Sequence, residues 1–186
     1  MFRNMSVRNL WIDQRASVAV EFSLISIFLF IFIFFLVDLV HRQAMVGKLD
    51  RVSYSVASVL RERIQLYDRR DRISVEEFEQ GRELAKKMLK DMNPDADLSS
   101  VITSMQVWYP PSTPGTPQIH FSHGGDCGTG SSFNDAVKLA PEGSYGRKVP
   151  VYRFSVCMKS NSWFRRLTAG IKEEPLLSST SIVMIR

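Results

Sequence analysis

The chain has 186 residues and a formal net charge of +5, which leaves room for one modest folded domain once a membrane helix is subtracted. Removing the first 16 residues takes away Arg3, Arg8, Arg15 and Asp13 and leaves +3, and the remaining basic side chains are interleaved with carboxylates, as in Arg61-Glu62-Arg63 and Asp68-Arg69-Arg70-Asp71-Arg72. That is the pattern of a solvated surface and excludes a nucleic-acid reader, which gathers its cations on one face or beside stacking aromatics.

After the basic N-terminal stretch, Phe22 to Val37 carries no charge and only Ser23 and Ser26 interrupt its Leu, Ile, Val and Phe. Counted from Ser17, the stretch is long enough at ~1.5 Å per residue to cross a ~30 Å bilayer core, and it then includes a lone carboxylate, Glu21. A cleaved secretory signal would be shorter and followed by small residues. Here Asp38, His41 and Arg42 follow, so the segment is expected to stay attached as an inner-membrane anchor. Arg3, Arg8 and Arg15 favour a cytoplasmic N-terminus, which puts Cys127 and Cys157 outside the cytoplasm, where a pair can persist as a disulfide.

Beyond the span, Met45, Leu49, Val52, Val56 and Val59 recur at spacings of four and three, the stripe of an amphipathic helix that continues the membrane helix outward. Such a stripe either packs subunits laterally or is covered by the chain's own domain. Continuous from Ser17 to Tyr67, this rod would measure ~77 Å, unless Gly47 bends it. Ser74 and Glu77 form a capping box, Phe78, Ala85, Met88, Leu89 and Met92 share one face of a second helix, and Asn93-Pro94 ends it. Val101–Tyr109, Gln118–Ser122, Val149–Lys159 and Ser179–Ile185 then read as strands, with Pro110 to Pro117 as an exposed loop between the first two. The expected class is α+β: a transmembrane helix extended into a periplasmic helix, a second helix, and a small antiparallel sheet.

Little in this chain suggests catalysis. The Gly124–Gly130 run lacks the Lys-Ser/Thr ending of a phosphate loop, no Gly-x-Ser-x-Gly elbow is present, and Glu173-Glu174-Pro175 reads as surface charge. His120, His123, Cys127 and Cys157 are zinc-capable types, but strand alternation puts the two histidines on opposite faces. The expectation is exposed histidines and a disulfide, with no metal and no cofactor.

The stretch Arg15-Ala16-Ser17-Val18-Ala19-Val20-Glu21-Phe22 resembles the leader junction of type IV pilins and pseudopilins, with Ala16 where that family usually has Gly. The resemblance implies cleavage between Ala16 and Ser17 by a prepilin peptidase, with Glu21 as the fifth mature residue and Phe22 beside it in the assembling helix. Asp38-Leu39-Val40, Gly47 to Ser55, Leu60-Arg61-Glu62-Arg63 and Leu66-Tyr67, with weaker matches at Val156-Cys157 and Ser162-Trp163-Phe164, resemble the TadF family of the tight adherence (Flp) pilus. That resemblance implies a non-enzymatic minor pilin or pseudopilin with a type IV pilin-like fold, working with a TadE-like pseudopilin, the Flp major pilin and the Tad assembly machinery. The expected organisation is a leader over 1–16, a transmembrane helix over 17–40, a periplasmic helical region over 41–97 and a disulfide-bonded β-rich region over 98–186. The competing reading is a signal-anchored periplasmic enzyme or sensor, with a metal site near Cys127 as its variant.

Overall fold

The computed structural model describes residues 14–62, 72–94, 97–111, 115–128, 132–143, 146, 148–159 and 176–184. The expected leader up to residue 13, Leu66-Tyr67, Ser162-Trp163-Phe164 and Glu173-Glu174-Pro175 lie outside them. The first element, α1 (Gln14–Arg61), is a 48-residue helix that runs through Gly47 without interruption and is therefore ~72 Å long. From Val18 to Val37 its side chains are apolar apart from Glu21, Ser23 and Ser26, and its large apolar ones are exposed on every side, which fits a single-pass membrane anchor.

The character of α1 changes at Met45. Leu49, Val52 and Val56 are fully buried, together with Ser53, Ala57 and Leu60, whereas Val59 is 38% exposed. The sequence stripe ran one residue off at its end, for a geometric reason: ten residues beyond Leu49 is ~80° short of three turns, eleven residues is only ~20° past them, and Leu60 takes the inward place. The chain's own domain thus covers the stripe.

Helix α2 (Val75–Met92) starts at the predicted box: the Ser74 hydroxyl accepts from the Glu77 amide at 3.3 Å, and Glu77 Oε2 accepts from the Ser74 amide at 3.0 Å. Phe78, Ala85 and Leu89 are buried and Met88 and Met92 half-buried against the core, and Asn93 closes the helix by donating its amide to the Leu89 carbonyl. The helix runs antiparallel to α1. Gly81 lies against Val56 and Leu60, a Cβ there would come within 3.3 Å of Val56, and at the other end Lys48 Nζ donates to the Met92 carbonyl at 3.1 Å.

Four antiparallel strands follow: β1 (Ile102–Trp108), β2 (Gln118–His123), β3 (Val151–Lys159) and β4 (Leu176–Met184), in spatial order β2-β1-β3-β4. A short helix, α3 (Phe133–Lys138), which sequence periodicity did not reveal, lies in the crossover from β2 to β3. Helices α1 and α2 cover one face of the sheet, where Met105, Val107, Tyr152, Phe154, Val156 and Leu177 meet Val52, Val56 and Phe78 in one core. Phe78 stacks on Phe121 of β2, and the Tyr109 hydroxyl accepts from the Ile73 amide at 2.9 Å, joining the end of β1 to the start of α2. In the turn between β1 and β2, Pro117 is exposed as expected but Pro110 is buried, because the Tyr109 amide donates to the Pro117 carbonyl and draws the loop base inward.

The phase of α1 has an energetic consequence. Leu60→Ala empties a buried site and is expected to lower unfolding stability by ~2–5 kcal/mol, whereas Val59→Ala should cost less than ~1 kcal/mol. Denaturant unfolding of the detergent-solubilised chain measures both, and equal losses would contradict this phase.

Candidate assembly surface

The surface that the fold leaves open begins on α1. Glu21 is exposed on the bare half of the helix, next to Phe22 at 71% exposure, amid side chains that are all apolar apart from small serines. Ser23 does not add a free polar group, since its hydroxyl donates back to the Ala19 carbonyl at 2.7 Å. Ala16 and Ser17 lie in the first turn of α1, so the expected cleavage point and Glu21 share one continuous helix. Glu21 falls four residues after Ser17, one helical turn away.

The helix is held to its domain by polar contacts as well as by the core. The Ser53 hydroxyl lies 2.9 Å from the hydroxyls of both Ser179 and Ser181 and 3.1 Å from the Asp50 carbonyl. Donating to Asp50 and accepting from the two serines uses its full capacity of one proton and two lone pairs. The small side chains of β4 on this face let α1 approach the sheet closely, a signal that sequence reading missed because serine does not mark a core position.

On the other face of the sheet, Cys127 and Cys157 are bonded to each other, with Cα atoms 5.7 Å apart and a sequence separation of 30 residues. Both are buried, and Gly124, Gly125 and Gly128 supply the positive φ angles that turn the chain into place around Cys127. The bond ties the start of the β2–β3 crossover to β3. Arg153, also buried there, donates from Nη1 to Gln106 Oε1 at 3.2 Å and lies 4.9 Å over the Phe133 ring of α3. Burial lowers its pKa, partly offset by Asp126, but an arginine so far above neutrality keeps its charge.

His120 and His123 stand exposed on β2, paired with Gln106 and Thr103 of β1, and their three-residue separation turns them to opposite faces. The two sulfurs that a zinc site would draw on are joined to one another. Among the described residues no group of three or more His, Cys, Asp and Glu side chains could hold a metal ion. Nor do they contain more than one helix long and apolar enough to cross a membrane. The described residues therefore bring together an apolar helix that carries Glu21 near its start and a compact domain packed on that helix's far half.

Comparison with known proteins yields a family match that covers nearly the whole chain: residues 9–186 match TadF, described as "Putative tight adherence pilin protein F". No curated protein and no solved structure matches the chain.

The bond between Cys127 and Cys157 closes a loop large enough to be worth ~2–4 kcal/mol. Cys127→Ser combined with Cys157→Ala should lower the unfolding midpoint accordingly, and wild type unfolded with a reductant present should show the same loss. A midpoint indifferent to reductant would contradict a stabilising staple.

Proposed function

The chain belongs to the TadF family, and from that premise we propose that this component of the tight adherence pilus is a minor pilin or pseudopilin, matured by cleavage between Ala16 and Ser17 and assembled through its N-terminal helix. The observation that carries the reading is Glu21, exposed at the start of the apolar stretch of α1, one turn beyond Ser17.

A carboxylate facing hydrocarbon costs on the order of 3 kcal/mol, so the membrane-embedded helix gains by finding it a cation. Cleavage would create one. The new amine at Ser17 stands at the positive end of the helix dipole, where a cation is itself unfavourable, so both groups gain when they pair. Within one helix they are a turn apart. Between neighbouring helices displaced along their axes, they meet across an apolar seam that Phe22 and its neighbours fill by packing.

In this reading the leader keeps the amine absent and the subunit inert until a prepilin peptidase acts on the cytoplasmic side. The partners it implies are the inner membrane, a TadE-like pseudopilin, the Flp major pilin and the remaining Tad machinery. The domain beyond the membrane serves as a rigid head and not as a catalyst. The signal-anchored enzyme alternative draws no support from the bonded cysteines and separated histidines.

The test is the mass of the mature chain extracted from membranes of cells with and without the prepilin peptidase. A start at Ser17 in the first and at Met1 in the second is expected. A chain that begins at Met1 in peptidase-containing cells would sink the proposal.

A further inference from the structure

On β1 and β2, Gln106 and His120 alternate with Met105, Val107 and Phe121, which pack toward the core, so both stand on the face of the sheet away from α1 and α2. There α3 meets the two strands. A cleft of about 180 Å³ opens between them, lined by Gln106, Gln118, Ile119, His120, Phe133 and Asn134. At ~30 Å³ per water it has room for about six waters, the bulk of one small polar ring and too little for a stretch of peptide.

The walls of the cleft are ordered by the chain's own contacts. Arginine can only donate, so the bond from Arg153 Nη1 to Gln106 Oε1 fixes the Gln106 amide and leaves its amino group for the cleft that it lines. Gln118 Nε2 donates to Asn134 Oδ1 at 3.2 Å, which keeps the Gln118 oxygen as an acceptor and the Asn134 amino group as a donor. His120, opposite Gln106 in the strand register, adds an imidazole that in its neutral form has one donor and one acceptor. The Phe133 ring is half-buried and held at the wall by the Arg153 guanidinium stacked over it. The crossover that carries Phe133 and Asn134 is itself pinned to β3 by the Cys127–Cys157 bond.

We infer that this cleft binds a neutral sugar ring. Three carboxamides and an imidazole set donors and acceptors side by side, which matches sugar hydroxyls, each a donor and an acceptor at once. The negative face of an aromatic ring such as Phe133 suits the weakly positive C–H face of a pyranose. None of the six lining residues is an acid, a lysine or an arginine, so they supply no ion-pair partner for a charged ligand, and Arg153 is buried behind Gln106 and Phe133. A ligand of about a dozen heavy atoms in an open cleft should half-saturate it near ~1 mM. The cleft and α1 are on opposite faces of the sheet, and the inference does not rest on the assembly role proposed for that helix.

The test uses the full chain in a detergent without a sugar headgroup, such as dodecylphosphocholine. Saturation-transfer NMR is recorded on the methyl glycosides of glucose, galactose and N-acetylglucosamine, with acetate as the charged control, at about ten times the expected half-saturation. Transfer to the ring C–H protons of at least one glycoside is expected, reduced several-fold in His120→Ala or Asn134→Ala and unchanged in His123→Ala, whose side chain is on the other face. All three positions are exposed, so the variants should fold. The inference is overturned by no transfer to any glycoside, by transfer to acetate alone, or by transfer that both cleft variants keep or that His123→Ala loses equally.

Discussion

Everything in this structure depends on one helix meeting two solvents. From Val18 to Val37 the large apolar side chains of α1 are exposed on every side, while Leu49, Val52, Val56 and Leu60 are buried under the sheet and the second helix. A helix hydrophobic all round needs an apolar surrounding on every side, which fits a membrane anchor, and an amphipathic one needs a partner on one side, so the change of pattern near Met45 marks where the domain begins. Because no break separates the halves, a force or displacement applied to the membrane helix is passed to the domain as a rigid body.

The rest of the fold secures that attachment from both sides of the sheet. On the helix side, apolar burial is supplemented by Ser53, whose hydroxyl fixes the height of β4 on α1. On the other side, the long crossover from β2 to β3 is pinned by the Cys127–Cys157 bond and by Arg153 held between Gln106 and the Phe133 ring. A small sheet whose edge connections are this long gains little from local contacts, and a covalent tie there limits the conformations the unfolded chain can reach.

Most of the architecture was legible in the sequence because it is written in periodicity and punctuation. The membrane helix, the Ser74–Glu77 box, the stop at Asn93-Pro94 and all four strands follow from such signals, and the strands differ from expectation only at their ends, β3 beginning at Val151 and β4 at Leu176. What escaped was tertiary: the inward turn of Leu60 in place of Val59, the burial of Pro110, the short helix Phe133–Lys138, and the serines of β4 that seat the helix. None of these has a local signature. Of the candidate site, Glu21 was conspicuous because a charge inside an apolar run is costly, but the role proposed for it involves neighbouring subunits, which a single chain cannot encode by pattern alone.

The proposal that α1 acts in assembly through Glu21 is tested most directly by comparing Glu21→Ala with wild type in pilus assembly. The exposed position of Glu21 means that the variant should fold, reach the membrane and give a mature chain of the mass expected from the substitution alone, yet the cells should produce few or no pili and sheared pilus fractions should lack the chain. Piliation at the wild-type level, with the variant still assembled, would contradict the claim that Glu21 makes the contact that assembly requires.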